Sequence, residues 1–172
     1  MRSQAFFLAL VSFLLMAASC GNEEGKQKRM PTREELIEAN RQKVSTEAKI
    51  INDFVKKSGW EMNTTKTGIR YDIYHSSEGD SARMGMLATI TFQAYLLDGS
   101  QVGSSEISGP VTFKLGQGDQ VSGLHEALTL LQEGDSARFI IPSYLAYGLT
   151  GNQNDIPPNA ALLYDLALVD LD

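Results

Sequence analysis

Tyr144-Leu145-Ala146-Tyr147-Gly148, followed by the run from Asn152 to Pro158, NQNDIPP, is the stretch of this chain that most resembles a site. Two aromatics, several glycines and a Pro-Pro pair lie in one long connection between two strand-like segments. Loops held on a rigid sheet are where binding and catalytic side chains concentrate. The composition alone supports two readings equally, a site or aromatic caps over the end of a core. Motifs for other chemistry are missing. No GxGxxG opens a helix, and there is no Walker loop, HExxH or GxSxG. Gly116-Gln117-Gly118 is a lone GxG. Asp98 belongs to a turn, Asp165 and Asp170 to framework or surface, and His125, early in a helix, faces solvent or caps a local group. Without an acid-base pair, an enzyme here is restricted to chemistry that needs no proton transfer. The alternative is a binding module.

Composition narrows the field further. The 172 residues suffice for one domain with appendages, and 42% hydrophobic against 21% charged residues allows a real core. The formal charge of -6 gives no support for nucleic-acid binding. Cys20 is the single cysteine, which excludes an intrachain disulfide and a cysteine-based metal site, and two histidines exclude a histidine-rich centre. No cofactor or metal is expected.

The first twenty residues read as an address. Arg2 precedes an uncharged, mostly apolar stretch from Ala5 to Ala18, and small residues stand directly before Cys20. This is the pattern of a secretory signal over residues 1–19. It is short for a membrane span, which needs roughly 20 apolar residues. A transmembrane anchor or a buried helix is the alternative. Leu15-Met16-Ala17-Ala18-Ser19-Cys20 resembles a bacterial lipobox, with Ala17 where leucine is commoner. The resemblance implies lipidation at Cys20 and a membrane-anchored protein in the cell envelope. Gly21 offers no inner-membrane retention signal, so the outer membrane facing the periplasm is the expected address.

Residues 20–30 form a polar tether after the lipidated cysteine, and residues 31–59 form a helical segment. Thr32 and Glu35 make a capping box. Ile37, Val44, Ala48, Ile51 and Val55 recur at spacings of 7, 4, 3 and 4, one apolar stripe on a helix over 33–57. The stripe packs on the chain's own domain or pairs with a second copy to make a homodimer. A simple spacer is the plainest alternative. Residues 60–172 form the remaining domain. Alternation predicts strands over 67–74, 86–97, 111–115, 136–141 and 162–171, and leucines 124, 128 and 131 predict a short helix over 123–131. Apolar residues on both faces place the last strand centrally. The result is an α+β domain, an antiparallel sheet wrapped on a short helix, preceded by a long helix.

From Thr67 to Asp172 the chain is similar throughout to the FK506-binding family of peptidyl-prolyl isomerases. The similarity rests on Thr67-Gly68-Ile69-Arg70-Tyr71, Leu97-Asp98-Gly99-Ser100, Val111 to Gly116 (VTFKLG), and Val121-Ser122-Gly123-Leu124. It continues through Gly134-Asp135-Ser136-Ala137, Ile140-Ile141-Pro142, Leu145-Ala146-Tyr147-Gly148, Ile156-Pro157-Pro158-Asn159-Ala160 and Leu162-Leu163-Tyr164-Asp165. A lipoprotein form resembles those of Bacteroidetes, some linked to gliding motility. The resemblance implies an FKBP-like fold and an apolar cup that binds Xaa-Pro bonds of polypeptide clients. Carried over by position, the catalytic set is Phe92, Val121, Tyr147, Ile156 and Tyr164. Tyr147 would donate its hydroxyl to a substrate carbonyl. Tyr164 stands where the family prefers phenylalanine.

Four further pocket positions depart from the family pattern. A Phe-Asp pair is replaced by Val102 and Gly103, an aromatic by Val111, and the usual tryptophan floor by Leu124. Each lost aromatic leaves the cup wider and wetter. The resemblance therefore implies either an isomerase, with weakened turnover, or a non-catalytic chaperone or scaffold of an envelope or motility machinery. Affinity for FK506-like macrolides would suffer in both cases.

Overall fold

The alternating segments do build one sheet. The computed structural model describes residues 29–118 and 120–172. The expected signal over 1–19, the lipidation at Cys20 and nearly all of the tether lie outside the described residues. Seven strands form: β1 (Asn63–Thr64), β2 (Arg70–His75), β3 (Leu87–Leu96), β4 (Gln101–Ser104), β5 (Val111–Lys114), β6 (Ser136–Ile141) and β7 (Leu162–Leu171). Their order is β1-β2-β6-β7-β3-β4, with β5 also paired to β3, and every pairing is antiparallel. Strand β7 lies between β6 and β3, as its two apolar faces require. Three helices, α1 (Arg33–Ser58), α2 (Ser105–Ser108) and α3 (Ser122–Leu128), and a 3-10 turn at Ser143–Leu145 complete the described elements. None of the described helices is long and apolar enough to cross a membrane.

The chain divides into two units, Met1–Leu36 and Ile37–Asp172. In the first, Thr32 and Glu35 make the reciprocal cap that their spacing predicts. The Glu35 N–H donates to Thr32 Oγ1 at 3.2 Å and the Thr32 N–H to Glu35 Oε2 at 2.8 Å. The second unit holds the rest of α1, the sheet and α3.

Register explains the two faces of the sheet. Side chains alternate along a strand, so rows of aligned residues share a face. Tyr71, Phe139, Tyr164 and Ala94 lie opposite one another across β2, β6, β7 and β3. With Ile69, Ile90, Ile141, Leu162, Leu166 and Leu168 they form the inner face, covered by Leu124, Ala127 and Leu128 of α3. The next row, Asp72, Arg138, Asp165 and Gln93, faces outward. There Arg138 lies 3.3 Å from Asp165 and 3.5 Å from Asp72, and its guanidinium stacks on Trp60 and Tyr74.

Part of the α1 stripe covers this outer face. Ile51 is buried with Ile140 and Ala161, and Phe54, Val55, Met62, Leu97 and Leu163 pack around them. Trp60 meets Phe54 edge-to-face at 5.9 Å and so packs against the end of α1. Arg70 grips the helix from β2, donating from Nη2 to Asn52 Oδ1 at 2.8 Å. Farther back along the helix, Ile37 and Val44 stay exposed. The stripe is thus only half covered, at its C-terminal end.

Candidate active site

Helix α3 approaches the sheet closely because Gly123 has no side chain. A Cβ at Gly123 would stand 2.3 Å from Ile141 Cγ2 and 3.0 Å from Leu145 Cβ. That approach seats Leu124 in the inner core at 2% exposure. Val121, the residue before the helix, has an extended backbone, and its carbonyl accepts the Leu124 N–H at 3.0 Å. Its side chain packs, half-buried, on the same core. From the sheet, β3 contributes Phe92 and β7 contributes Tyr164, with ring centroids 5.9 Å apart. Tyr164 is 7% exposed. Burial pushes its hydroxyl pKa up, and the neighbouring Tyr147 adds to the shift.

The long connection between β6 and β7 is ordered by one side chain. Asn152 Oδ1 accepts the N–H groups of Asn154 at 3.0 Å and Ile156 at 2.8 Å, and Asn152 Nδ2 donates to Asp155 at 2.6 Å. The Asn152 N–H closes the turn onto the Ile156 carbonyl at 3.1 Å. Gly151 is required here, because its φ is +65° and a Cβ would lie 2.1 Å from that carbonyl oxygen. The turn drives Ile156 into the core, where it is 6% exposed. Tyr147, at the other end of the loop, remains 36% exposed, at the rim. Among the predicted site residues, Phe92, Val121, Leu124, Ile156 and Tyr164 are therefore gathered on one apolar cluster, with Tyr147 beside Tyr164.

The departing positions behave differently from one another. Val102 packs partly buried against this cluster. Gly103 faces the edge of Phe92, where a Cβ would meet Cε2 at 3.2 Å. Val111 is half-buried, lies cross-strand from Ile90, and is not part of the continuous cluster. Of the two tyrosines in the motif, Tyr144 does not join the cup. Its hydroxyl donates to the Thr67 carbonyl at 2.7 Å, so it acts as a cap on the segment before β2. The two tyrosines of that stretch therefore differ, Tyr144 tied to the segment before β2 and Tyr147 left at the rim. His125 is buried and does not face solvent. Its Nδ1 accepts the Gly116 N–H at 3.1 Å and its ring meets Phe113 edge-to-face, so it caps a local group.

Two contributors escaped the sequence reading. Asn152 stands in the sequence only as the start of the NQNDIPP run, and nothing there marks it as the hub of the loop. Glu47 of α1 accepts hydrogen bonds from Ser143, 96 positions away, and no local pattern signals such a pair. Among the described residues, no cluster of His, Cys, Asp and Glu is placed to hold a metal. The arrangement supplies hydrocarbon walls and two tyrosine hydroxyls.

Comparison with known proteins identifies the family and the fold. The profile of the family described as FKBP-type peptidyl-prolyl cis-trans isomerase matches residues 79–169. A probable FKBP-type isomerase, FkpA, from Neisseria meningitidis is 39% identical over 111 residues, 64% of this chain and 40% of that protein. The chain thus spans less than half of that relative, and the same holds for the Haemophilus influenzae relative, at 47%. FK506-binding protein 1 of Kluyveromyces lactis is 36% identical over 104 residues, 58% of this chain and 91% of that protein. The crystal structure of FkpA from Escherichia coli superposes with a TM-score of 0.63, covering 100% of this chain and 82% of that one. Its 23% identity makes it evidence for the fold alone. With the family profile covering more than half of the sequence, the chain belongs to the FKBP-type peptidyl-prolyl cis-trans isomerase family.

Proposed function

We propose that this chain is a peptidyl-prolyl cis-trans isomerase acting on Xaa-Pro bonds of envelope or secreted polypeptides. The observation that carries the reading is the apolar cluster of the buried Leu124, Ile156 and Tyr164 with the partly buried Phe92, and with Tyr147 at its rim. Rotation about a peptide bond is opposed by a barrier of about 18–20 kcal/mol, which arises from amide resonance. The planar amide is charge-separated and the twisted one is less so. A dry hydrocarbon surface disfavours the planar form more than the twisted one. Binding energy realised only in the twisted state lowers the barrier, with no nucleophile or cofactor needed. Tyr147 would hold a substrate carbonyl by its hydroxyl while Val121 and Ile156 flank the proline ring.

The test is a protease-free isomerisation assay on residues 21–172, using peptides that vary the residue before proline. Turnover above background, lost in Tyr147→Phe and Val121→Asp, is the expected result. Absence of turnover across the panel by folded protein would reject the reading.

A second reading, client binding without catalysis, is favoured by one observation. An apolar groove of about 1010 Å³ runs between α1 and the cup-side loop, lined by Val44, Ile50, Leu97, Leu149 and Ala160 among others. Capture of an unfolded client by protein that lacks isomerisation would select it. The address is part of the proposal, supported by the lipobox-like run ending at Cys20. Intact mass of the mature protein should show acyl chains on Cys20, and Cys20→Ser should release it from the outer membrane. A homodimer through α1 is supported by the exposed Ile37 and Val44, and light scattering on the mature form decides it.

A further inference from the structure

A carboxylate of helix α1 is hydrogen-bonded to the loop that carries Tyr147. Glu47 Oε1 accepts the Ser143 N–H at 2.6 Å, and Glu47 Oε2 accepts the Ser143 hydroxyl at 2.9 Å. Ser143 itself is buried and opens the 3-10 turn after β6. Its carbonyl accepts two more N–H groups, from Ala146 at 3.0 Å and from Gly148 at 2.8 Å. These two residues bracket Tyr147. The Gly148 carbonyl in turn accepts the Asn159 N–H at 2.8 Å, closing the loop at its far end. One serine therefore spends all three of its polar groups on this junction. The side facing α1 is held by a charge, and charge-assisted hydrogen bonds are shorter and stronger than neutral ones.

The rest of the helix fixes where that carboxylate stands. Ile51 lies one turn after Glu47 on the same face and is buried against Ile140 and Ala161. Asn52 is held by Arg70 Nε at 3.2 Å and Nη2 at 2.8 Å. Glu47 thus hangs from a docked segment rather than a loose one.

We infer that Glu47 is a positioning residue, setting the orientation of Tyr147 at the rim of the cup through Ser143. Helix α1 is on this account a working part of the isomerase site as well as a stalk. The inference rests on the isomerase reading above for its kinetic consequence, but its structural consequence stands apart from turnover.

The test uses the full chain with Glu47→Ala, Glu47→Gln and Tyr147→Phe, and Asp53→Ala as a control on an exposed helix position. Glu47→Ala should lower kcat about tenfold with KM held within about twofold, since the rim donor is displaced rather than the apolar cup lost. Glutamine can still accept from the Ser143 N–H and donate to its hydroxyl, so Glu47→Gln should fall by only about threefold. The decisive kinetic readout is coupling. If Glu47 acts through Tyr147, the penalty of Tyr147→Phe should shrink by at least about threefold when Glu47 is already alanine. Multiplying, independent penalties would overturn the inference. In parallel, amide exchange at Ala146 and Gly148 should accelerate about tenfold or more in Glu47→Ala, with the Leu166 amide in the middle of β7 unchanged. Unchanged exchange at those two amides would also overturn it. Should the wild-type chain show no turnover, the isomerase reading fails by itself and the exchange measurement alone decides the positioning claim. Should Glu47→Ala fail to fold, Glu47→Gln carries both readouts.

Discussion

The two faces of the central sheet are stabilised in different ways. On the inner face, β7 presents Leu162, Tyr164, Leu166 and Leu168 to one continuous cluster that includes α3 and the floor of the cup. On the outer face, the same strand presents Leu163, Asp165, Ala167 and Val169, and the cover changes along its length. Leu163 lies under α1 with Ile51 and Ile140, and Asp165 joins Arg138 and Tyr74. Val169 is exposed. The inner face is uniform and apolar, the property a desolvating site requires. The outer face is a patchwork, with a small apolar contact, two polar straps to α1 and a half-exposed ionic row. The Arg138 ion pairs join β2, β6 and β7 and contribute roughly 0–1 kcal/mol each, while α1 is held by Ile51, Phe54 and Val55 together with the Glu47–Ser143 and Asn52–Arg70 hydrogen bonds. In the proposed isomerase the inner face would set the chemistry, while the outer face decides whether α1 stays docked.

The largest break in that contrast comes from removing α1 altogether. A chain beginning at Trp60 uncovers Ile140, Ala161 and Leu163. Ile140 and Ala161 are buried and Leu163 partly so, and their exposure corresponds to about 3–6 kcal/mol of lost stabilisation, at ~1.5–3 kcal/mol for each of the two large side chains. The urea midpoint should fall accordingly, and the bared patch should promote self-association. A shorter chain that stayed monomeric and equally stable would show that the outer face does not need its cover. On the inner side, Gly123→Ala places a Cβ 2.3 Å from Ile141 Cγ2. Forcing α3 away should cost about 1–3 kcal/mol. The same change should also depress turnover, because Leu124 and Val121 move with the helix. An unaltered midpoint would mean that α3 is free to shift.

The contrast also explains which features were legible in the sequence. Strands β6 and β7 follow the predicted spans because alternation with period two is a local signal, and the capping box at Thr32 is equally local. The helix predicted over 123–131 ends at Leu128, since Leu131 is buried in a turn whose carbonyl accepts the Ala82 N–H. Periodicity marks the apolar stripe of α1, but it does not say that only the half near Ile51 is covered, because that depends on where Ile140 and Leu163 lie. The inner cluster was recoverable through the family pattern. The Glu47–Ser143 junction has no such route, as it pairs residues distant in sequence and of common type. The division of labour between Tyr144 and Tyr147 likewise depends on the Thr67 carbonyl, which belongs to another element.

A smaller effect refines the account of the inner face. Val102 and Gly103 leave the Phe92 edge less covered than an aromatic and an acidic side chain would. The double change Val102→Phe with Gly103→Asp should raise kcat/KM about threefold or more, through added apolar contact in the twisted state. The Cβ at 103 is tight against Phe92 at 3.2 Å, so a slight loss of stability should accompany the gain. A kcat/KM that stays level or falls would show that this cup does not use the missing walls.

The finest measurement compares the faces through two tyrosines. Tyr164 on the inner face and Tyr74 on the outer face both have hydroxyls raised above the ordinary 10.0. Tyr74 reaches about 12, chiefly through burial and then through the hydrogen bond it donates to Asp165. Tyr164 is raised by burial first and by Tyr147 second. Below the unfolded value near 10, both states are neutral and the full stability is present. As pH rises above 10, the unfolded chain ionises first, and stability is lost until pH passes the folded values. For a buried group such as Tyr164 the loss has a limiting slope of about 1.4 kcal/mol per pH unit. Tyr74 should contribute a shallower loss, because its ring is half exposed and solvent screens it. Urea midpoints between pH 9 and about 12 should therefore fall less steeply in Tyr164→Phe than in the wild type, with Tyr74→Phe between them. If Tyr164→Phe follows the wild-type curve, the Tyr164 hydroxyl ionises inside the folded cup. Water would then reach the surface that is meant to exclude it, and the desolvation account of catalysis would lose its physical basis.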